Sequence, residues 1–418
     1  MFSNNLNKLF KKFVIIIFPF ILFNIKNNIK EKSNNKLLLK IKNFEKNHNI
    51  KDIDIKEFRR INSENILLDK KKYNKVNNPI ISIIVTIYNQ FHCIHKSIRS
   101  IQNQSIKNLE IIIVDDCSSD NSTEIIKKYQ KEDNRIIIIE HKTNKGKIKS
   151  RTDGIKKAKG KYITILDGDD ALIHKDVLKN NLYISSLGNL DVVEFKMMIF
   201  MEGKLKYCCN QYPIETNNII YQPELRKKFI LLSNDYSIRA IQNRSICAKI
   251  IKNKIFKEVL KLVGPKYTED YILEYEDTIF TVALFQISNS YYYFKEEGYY
   301  YSQDDKKEII CTKINNCKPN EKVIKGIDPI KFLQFLIEKT WNNKFERRLV
   351  YHEIMSINYY WNFYYNINHH YQMVYKILDK MIQSEFLLKR QKKTLILIKN
   401  ALKKKENNLL KISIKIII

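Results

Sequence analysis

Five aspartates stand in two tight groups, each directly after an apolar run. Asp115 and Asp116 follow "EIIIV", and Asp167, Asp169 and Asp170 follow "YITIL". Carboxylates crowded like this repel one another, and unless a cation offsets the repulsion one of them has its pKa pushed up and stays protonated. A hard divalent ion takes oxygen ligands, commonly one or two carboxylates, and fills its other positions with water and phosphate oxygens. "DGDD" (167–170) therefore has the chemistry to hold Mn2+ or Mg2+ on a diphosphate, with Gly168 letting the backbone turn between the acids. The same residues suit a plain hydrophilic turn. The second acid pair favours the metal reading if the fold brings the two groups to one place.

Four β-branched runs provide that fold: "ISIIV" (81–85), "EIIIV" (110–114), "RIIIIE" (135–140) and "YITIL" (162–166). Unbroken Ile and Val without alternation is what strands covered on both faces require, as in a parallel sheet. The intervening segments read as helices. "CIHKSIRSIQNQ" puts Ile94, Ile98 and Ile101 on one face, and "STEIIKKYQKE" opens on Ser122 and Thr123, residue types that cap free amides. Strand and helix in alternation give a doubly wound α/β layer structure. In such a sheet ligands bind outside the carboxyl ends of the strands. The loops there are "TIYNQ" (86–90), "DDCSSDNS" (115–122), "HKTNKGK" (141–147) and "DGDD".

Further along, "DVVEFKMMIF" (191–200) reads as another strand and "EYEDTIFTVALFQI" (274–287) as a helix. "YYYFKEEGYYYS" (291–302) reads as a core strand with polar tips or as a surface for stacking sugar rings. Three regions result: an N-terminal extension over 1–78, an α/β domain over 79–310 with halves at 79–200 and 201–310, and a helical region over 320–418. His352, His369 and His370 in the last are read as ordinary surface or core histidines.

The net charge of +29 would ordinarily point to an anionic partner. Lys, Asn and Ile are abundant along the whole chain, however, and no nucleic-acid-binding signature accompanies the charge, so nucleic acid is excluded as a partner. The seven cysteines are scattered, with Cys311 and Cys317 the nearest approach to a ligand pair, and read as reduced cytosolic thiols. "FVIIIFPFILF" (13–23), behind Lys11 and Lys12, is shorter than the roughly 20 residues that span a bilayer. It suits a flat anchor on the inner face of the cell membrane or a helix packed on the domain.

The stretches "ISIIVTIYN", "LEIIIVDDCSSDNSTEII", "NKGKIKSRTDGIKKAKG" and "KYITILDGDD", in this order, resemble the nucleotide-binding half of family 2 glycosyltransferases, which have the GT-A fold. The resemblance covers about 79–302. It implies that Thr86, Tyr88 and Asn89 line a nucleotide pocket and that Asp115 and Asp116 contact base and ribose. It further implies that Asp167 and Asp169 form a DxD motif, the first approaching the ribose and the second holding the metal, with Asp170 the usual third acid. In "KSRTDG", Ser150 and Thr152 replace the family's Ala and Asn, while Arg151 and Gly154 are retained. Arg151 shares a helix face with Ile148 and Ile155, so its guanidinium needs an acidic partner: an ion pair with the acid cluster or a nucleotide-sugar contact.

The resemblance also aligns Asp277 of "EYED" (274–277) with the family's catalytic base, beside Glu269, Asp270 and Glu276; an acid there also suits a helix N-terminus. It places Lys249 of "CAKIIKNKIF" near the acceptor cleft. The implied activity is inverting, metal-dependent transfer of a hexose-type sugar from a nucleotide-diphosphate sugar, a UDP-sugar foremost, to a glycan or lipid-linked acceptor in surface polysaccharide synthesis. Two other classes gather acids beside a nucleotide or keep the fold without the reaction. A nucleotidyltransferase would need a Gly-rich basic loop where "TIYNQF" stands, and a degenerate binding fold has no need of crowded acids.

Overall fold

A computed structural model describes residues 34–46, 73–201, 204–208, 218–225, 245–269 and 276–302, with short helical stretches between 378 and 400. Segment 13–23, Asp270, Cys311, Cys317, His352, His369 and His370 lie outside the described residues. Among the described residues no helix is long and apolar enough to cross a membrane.

The four Ile/Val runs become β1 (Ile81–Ile87), β2 (Leu109–Asp115), β3 (Ile136–Glu140) and β4 (Tyr162–Asp167). They lie in the order β3-β2-β1-β4, every pairing parallel. β1, β2 and β4 are buried along their whole length. β3 departs from the expected double cover: it is the edge of the sheet, and Ile137, Ile138 and Ile139 are only half-buried. Between the strands run α1 (Ile94–Gln102), α2 (Ser122–Glu132) and α3 (Lys147–Lys157). Ile94, Ile98 and Ile101 of α1 are fully buried, as their spacing requires. The expected Ser/Thr cap of α2 is absent. Ser122 Oγ instead accepts from Gln90 N (2.8 Å), and Thr123 Oγ1 donates to Asp115 (2.5 Å), so both hydroxyls join neighbouring loops.

The sheet continues beyond β4 with β5 (Ala171–Leu172), β6 (Val192–Met201), β7 (Lys204–Cys208), β8 (Ile220–Tyr221), β9 (Lys249–Lys252) and β10 (Ser290–Ser302). The full order is β3-β2-β1-β4-β9-β6-β10-β5, with β7 on β6 and β8 on β10. β9 is the hinge of the topology, antiparallel to both β4 and β6, while β10 runs parallel to β6. The Tyr-rich run is thus a core strand, with Tyr291, Tyr292 and Tyr299 buried. The remaining helices are α4 (Val177–Leu187), α5 (Asn253–Val263), α6 (Pro265–Thr268) and α7 (Glu276–Ile287). α7 is apolar nearly all round and packs into the core on α5, where Phe256 and Phe280 meet edge-on at 6.0 Å.

The helix over 34–46 is docked on this domain. Ile41 is fully buried in a cluster with Ile184, Val193, Tyr292 and Phe294, and Tyr292 donates to Glu45 at 2.7 Å. Far along the chain, Leu378 and Leu395 are also fully buried and join the main core.

Candidate active site

Strand register brings the two acid groups together. Ile87 of β1 lies opposite Asp115 of β2, and Thr86 lies opposite Asp167 of β4, so both groups flank the end of one central strand. Thr86 Oγ1 and Gln90 Oε1 are buried there without a hydrogen-bond partner among the described residues.

The β1 and β2 loops are fastened to each other. Asn89, at φ 53°, donates from its backbone to Ser118 Oγ (3.0 Å) and accepts from Ser119 N at its side chain (2.8 Å). Tyr88 beside it is half-buried. Asp115 accepts from Ser118 N (3.0 Å), Ser118 Oγ (2.6 Å) and Thr123 Oγ1. Asp116 accepts from Lys145 N (2.8 Å) and Gly146 N (2.7 Å) and meets His141 Nδ1 at 2.8 Å. Both acids therefore pin the loops at this strand end. Asp116 does more, because its bonds fix the residue directly before α3.

α3 carries the central charge. Gly154 allows the helix to lie on the sheet: a Cβ there would stand 2.5 Å from Ile84 Cγ2. This close seat buries Arg151 completely. Of the two readings of Arg151, the structure shows the ion pair. Its Nη2 is 2.9 Å from Asp167 Oδ1, its Nη1 bonds Asp277 Oδ1, and Glu276 Oε1 is 3.5 Å away. Asp277 sits in the first turn of α7 and stays 30% exposed at its side chain, so the candidate base is anchored and still reachable. Burial opposes the charge on Arg151, but Asp277 and Asp167 overcome it and hold its pKa well above the ordinary value. Burial, then the Asp277 carboxylate, push Glu276 up to about 7.

Carboxylate oxygens of Asp167, Asp169 and Asp170 lie within 4.8 Å of one another. Asp170 is occupied on both oxygens, by Tyr299 Oη (2.7 Å) and Ser302 N (3.0 Å), and so braces "DGDD" against β10. Gly168 is required for a reason other than turning freedom. Its φ is not positive, and a Cβ would stand 2.2 Å from Gln90 Oε1 and 2.6 Å from Ile87 Cγ2. Four carboxyl groups (167, 169, 276, 277) thus face Arg151 and Lys147, the latter with its Nζ 3.3 Å from Asp167 Oδ2. An all-oxygen, net-negative donor set fits a hard divalent ion.

Lys249 is not at an open cleft. It is buried on β9, paired with Glu194 at 3.2 Å, and donates to Ser245 O (2.7 Å) and Cys247 O (3.4 Å). It thereby holds the loop of Cys247, whose thiol burial pushes up and which lies in the field of Asp167, Arg151 and Asp277. Lys147, Tyr299 and Ser302 were not singled out from the sequence. Lys147 was readable, standing one helical turn before Arg151; the other two reach Asp170 only through the pairing of β10.

The architecture is that of the GT-A fold. Staphylococcus aureus TarS 1–349, solved in complex with UDP-GlcNAc, superposes with a TM-score of 0.54 at 16% identity, covering 80% of this chain and 90% of that one. Residues 82–251 match the family model described as Glycosyl transferase family 2, and over that stretch the chain resembles the family. An uncharacterized glycosyltransferase of Haemophilus influenzae is 42% identical over 107 residues, 26% of this chain and 42% of that protein. The GalNAc(5)-diNAcBac-PP-undecaprenol beta-1,3-glucosyltransferase of Campylobacter jejuni is 38% identical over 96 residues, 23% of this chain and 31% of that protein. The chain spans less than half the length of these curated relatives.

Proposed function

We propose that the protein is an inverting glycosyltransferase that moves a hexose-type sugar from a nucleoside-diphosphate sugar, a UDP-sugar foremost, to a glycan or lipid-linked acceptor. The observation that carries this reading is the buried Arg151 bridge. One guanidinium joins Asp167 of the DxD edge to Asp277 at the head of α7, so the donor-holding and proton-accepting carboxylates form one unit.

In this reading Thr86, Tyr88 and Asn89 line the nucleotide pocket, with Asp115 and Asp116 holding its wall and offering their remaining lone pairs to base and ribose. Asp167 and Asp169 would hold Mn2+ or Mg2+, which would supply positive charge to offset that developing on the leaving diphosphate. Arg151 fixes Asp277, and Asp277 takes the proton of the acceptor hydroxyl as its oxygen attacks the anomeric carbon from the face opposite the nucleotide. The TarS complex with UDP-GlcNAc and the name of the Campylobacter relative support a UDP-sugar donor and a lipid-linked acceptor. An acceptor of that kind suits an enzyme resting on the inner membrane face through segment 13–23 and working in surface polysaccharide synthesis.

Calorimetric titration of UDP, GDP, dTDP and CMP, with and without MnCl2, tests the donor site. The expected result is metal-dependent binding of one of them, weakened at least about tenfold by Asp169→Ala. Absence of binding across the panel removes the reading and favours a fold that no longer reacts.

A further inference from the structure

We propose that Lys147 is an exchangeable counter-ion: in the free protein it occupies the outer oxygen of Asp167, and on donor binding it cedes that oxygen to the metal and pairs with the diphosphate. The proposal rests on the nucleotide-sugar reading above.

Lys147 opens α3 and stands four residues before Arg151, so the two cations share a helix face and a single carboxylate. Arg151 takes Asp167 Oδ1 at 2.9 Å, and Lys147 takes Oδ2 at 3.3 Å. Burial separates their roles. The Arg151 side chain is 0% exposed and tied to Asp277 as well, so it cannot leave. The Lys147 side chain is 50% exposed, and ion pairs that open to solvent are weakly held. Its pair with Asp167 is therefore the one that can be given up.

The charge balance gives the exchange its direction. A lysine ammonium, with an ordinary pKa of about 10.4, is a full cation in either position. A divalent ion and an ammonium on one oxygen repel each other, and the arrival of the metal displaces the weaker-held charge. The diphosphate brings new negative charge to the same edge. The flexible stem of a lysine, with three rotatable donors, lets the ammonium follow it. Lys147 thus serves as a stand-in cation before the donor binds and as a second positive charge for the leaving group afterwards.

The test is calorimetry on the full chain, wild type, Lys147→Met and Lys147→Arg, with MnCl2 alone and then with UDP or UMP at saturating MnCl2. Lys147→Met is expected to bind Mn2+ alone about two- to fivefold tighter. It is expected to bind UDP about tenfold more weakly, with a smaller change for UMP, and Lys147→Arg is expected to recover UDP. The opposite signs for metal and nucleotide are a signature that loss of folding cannot produce. Equal UDP affinity of wild type and Lys147→Met, or unchanged Mn2+ affinity, overturns the exchange while leaving the nucleotide site standing. Failure of the wild type to bind UDP, GDP or dTDP removes the nucleotide reading and the exchange with it.

Discussion

Arg151 is the residue on which the candidate site turns, because three carboxylates depend on one buried guanidinium. Removing one partner of a buried charge network leaves the others uncompensated, at a cost of about 3–5 kcal/mol. Arg151→Met is therefore expected to lower the thermal midpoint strongly, and a midpoint within experimental error of wild type would show that the network carries no stability. Glu276 gives a pH test. Its folded pKa, about 7, lies above the ordinary 4.5, so between these values the folded chain holds a proton that the unfolded chain has lost. Its contribution to stability is full below about 4.5 and declines as pH rises to about 7. Melting curves across that window in metal-free buffer should fall with pH less steeply for Glu276→Gln than for wild type; equal slopes would contradict the shift. The acids and Arg151 were legible in the sequence because residue type and position after a strand or on a helix face suffice to mark them. An ion pair of Arg151 with the acid cluster was legible too; its bond to Asp277 was not, since the two meet only when α7 packs beside α3, a contact between distant parts of the chain.

At the scale of elements, α3 is held from both ends of its geometry. Asp116 fixes Gly146 before its first turn, and Gly154 lets its body touch Ile84 of β1 and Val114 of β2. Gly154→Ala gains about 1 kcal/mol of helix propensity but forces a Cβ to 2.5 Å from Ile84. The crowding is expected to win, with a net loss of about 1–2 kcal/mol and weaker nucleotide binding as Arg151 is pushed off its partners. Chemical denaturation measures the first and calorimetry the second. A stabilised Gly154→Ala with unchanged nucleotide affinity would show that the seat has slack. β1, β2 and β4 were readable as covered strands because unbroken Ile and Val suits strands covered on both faces, a signal that over-reads the cover of the edge strand β3. β9 was not, since four residues with a lysine at each end carry no pattern, and their placement follows from the Glu194 partner on β6.

At the scale of the whole molecule, the α/β domain carries a docked helix that precedes its first strand. The helix over 34–46 places Ile41 in a closed cluster with Val193 and Phe294, and Asn34 accepts from Tyr221 at 3.0 Å. In the sequence this stretch is lost in Lys and Asn, although Leu37, Ile41 and Phe44 already keep helical spacing. Ile41→Ala is expected to cost about 2–4 kcal/mol, read as a drop in the unfolding midpoint; a negligible change would make the helix an appendage.

The central claim is that one strand edge both binds a nucleotide sugar and presents Asp277 as the base. It is tested most directly by following nucleotide release from UDP-, GDP-, dTDP- and CMP-sugars with MnCl2, in wild type and Asp277→Asn. Release from one donor is expected, falling about a hundredfold or more in Asp277→Asn while affinity for the matching nucleotide stays within about twofold. Release at the wild-type rate by Asp277→Asn would remove that carboxylate from the chemistry, and no release from any donor by the wild type would contradict the account as a whole.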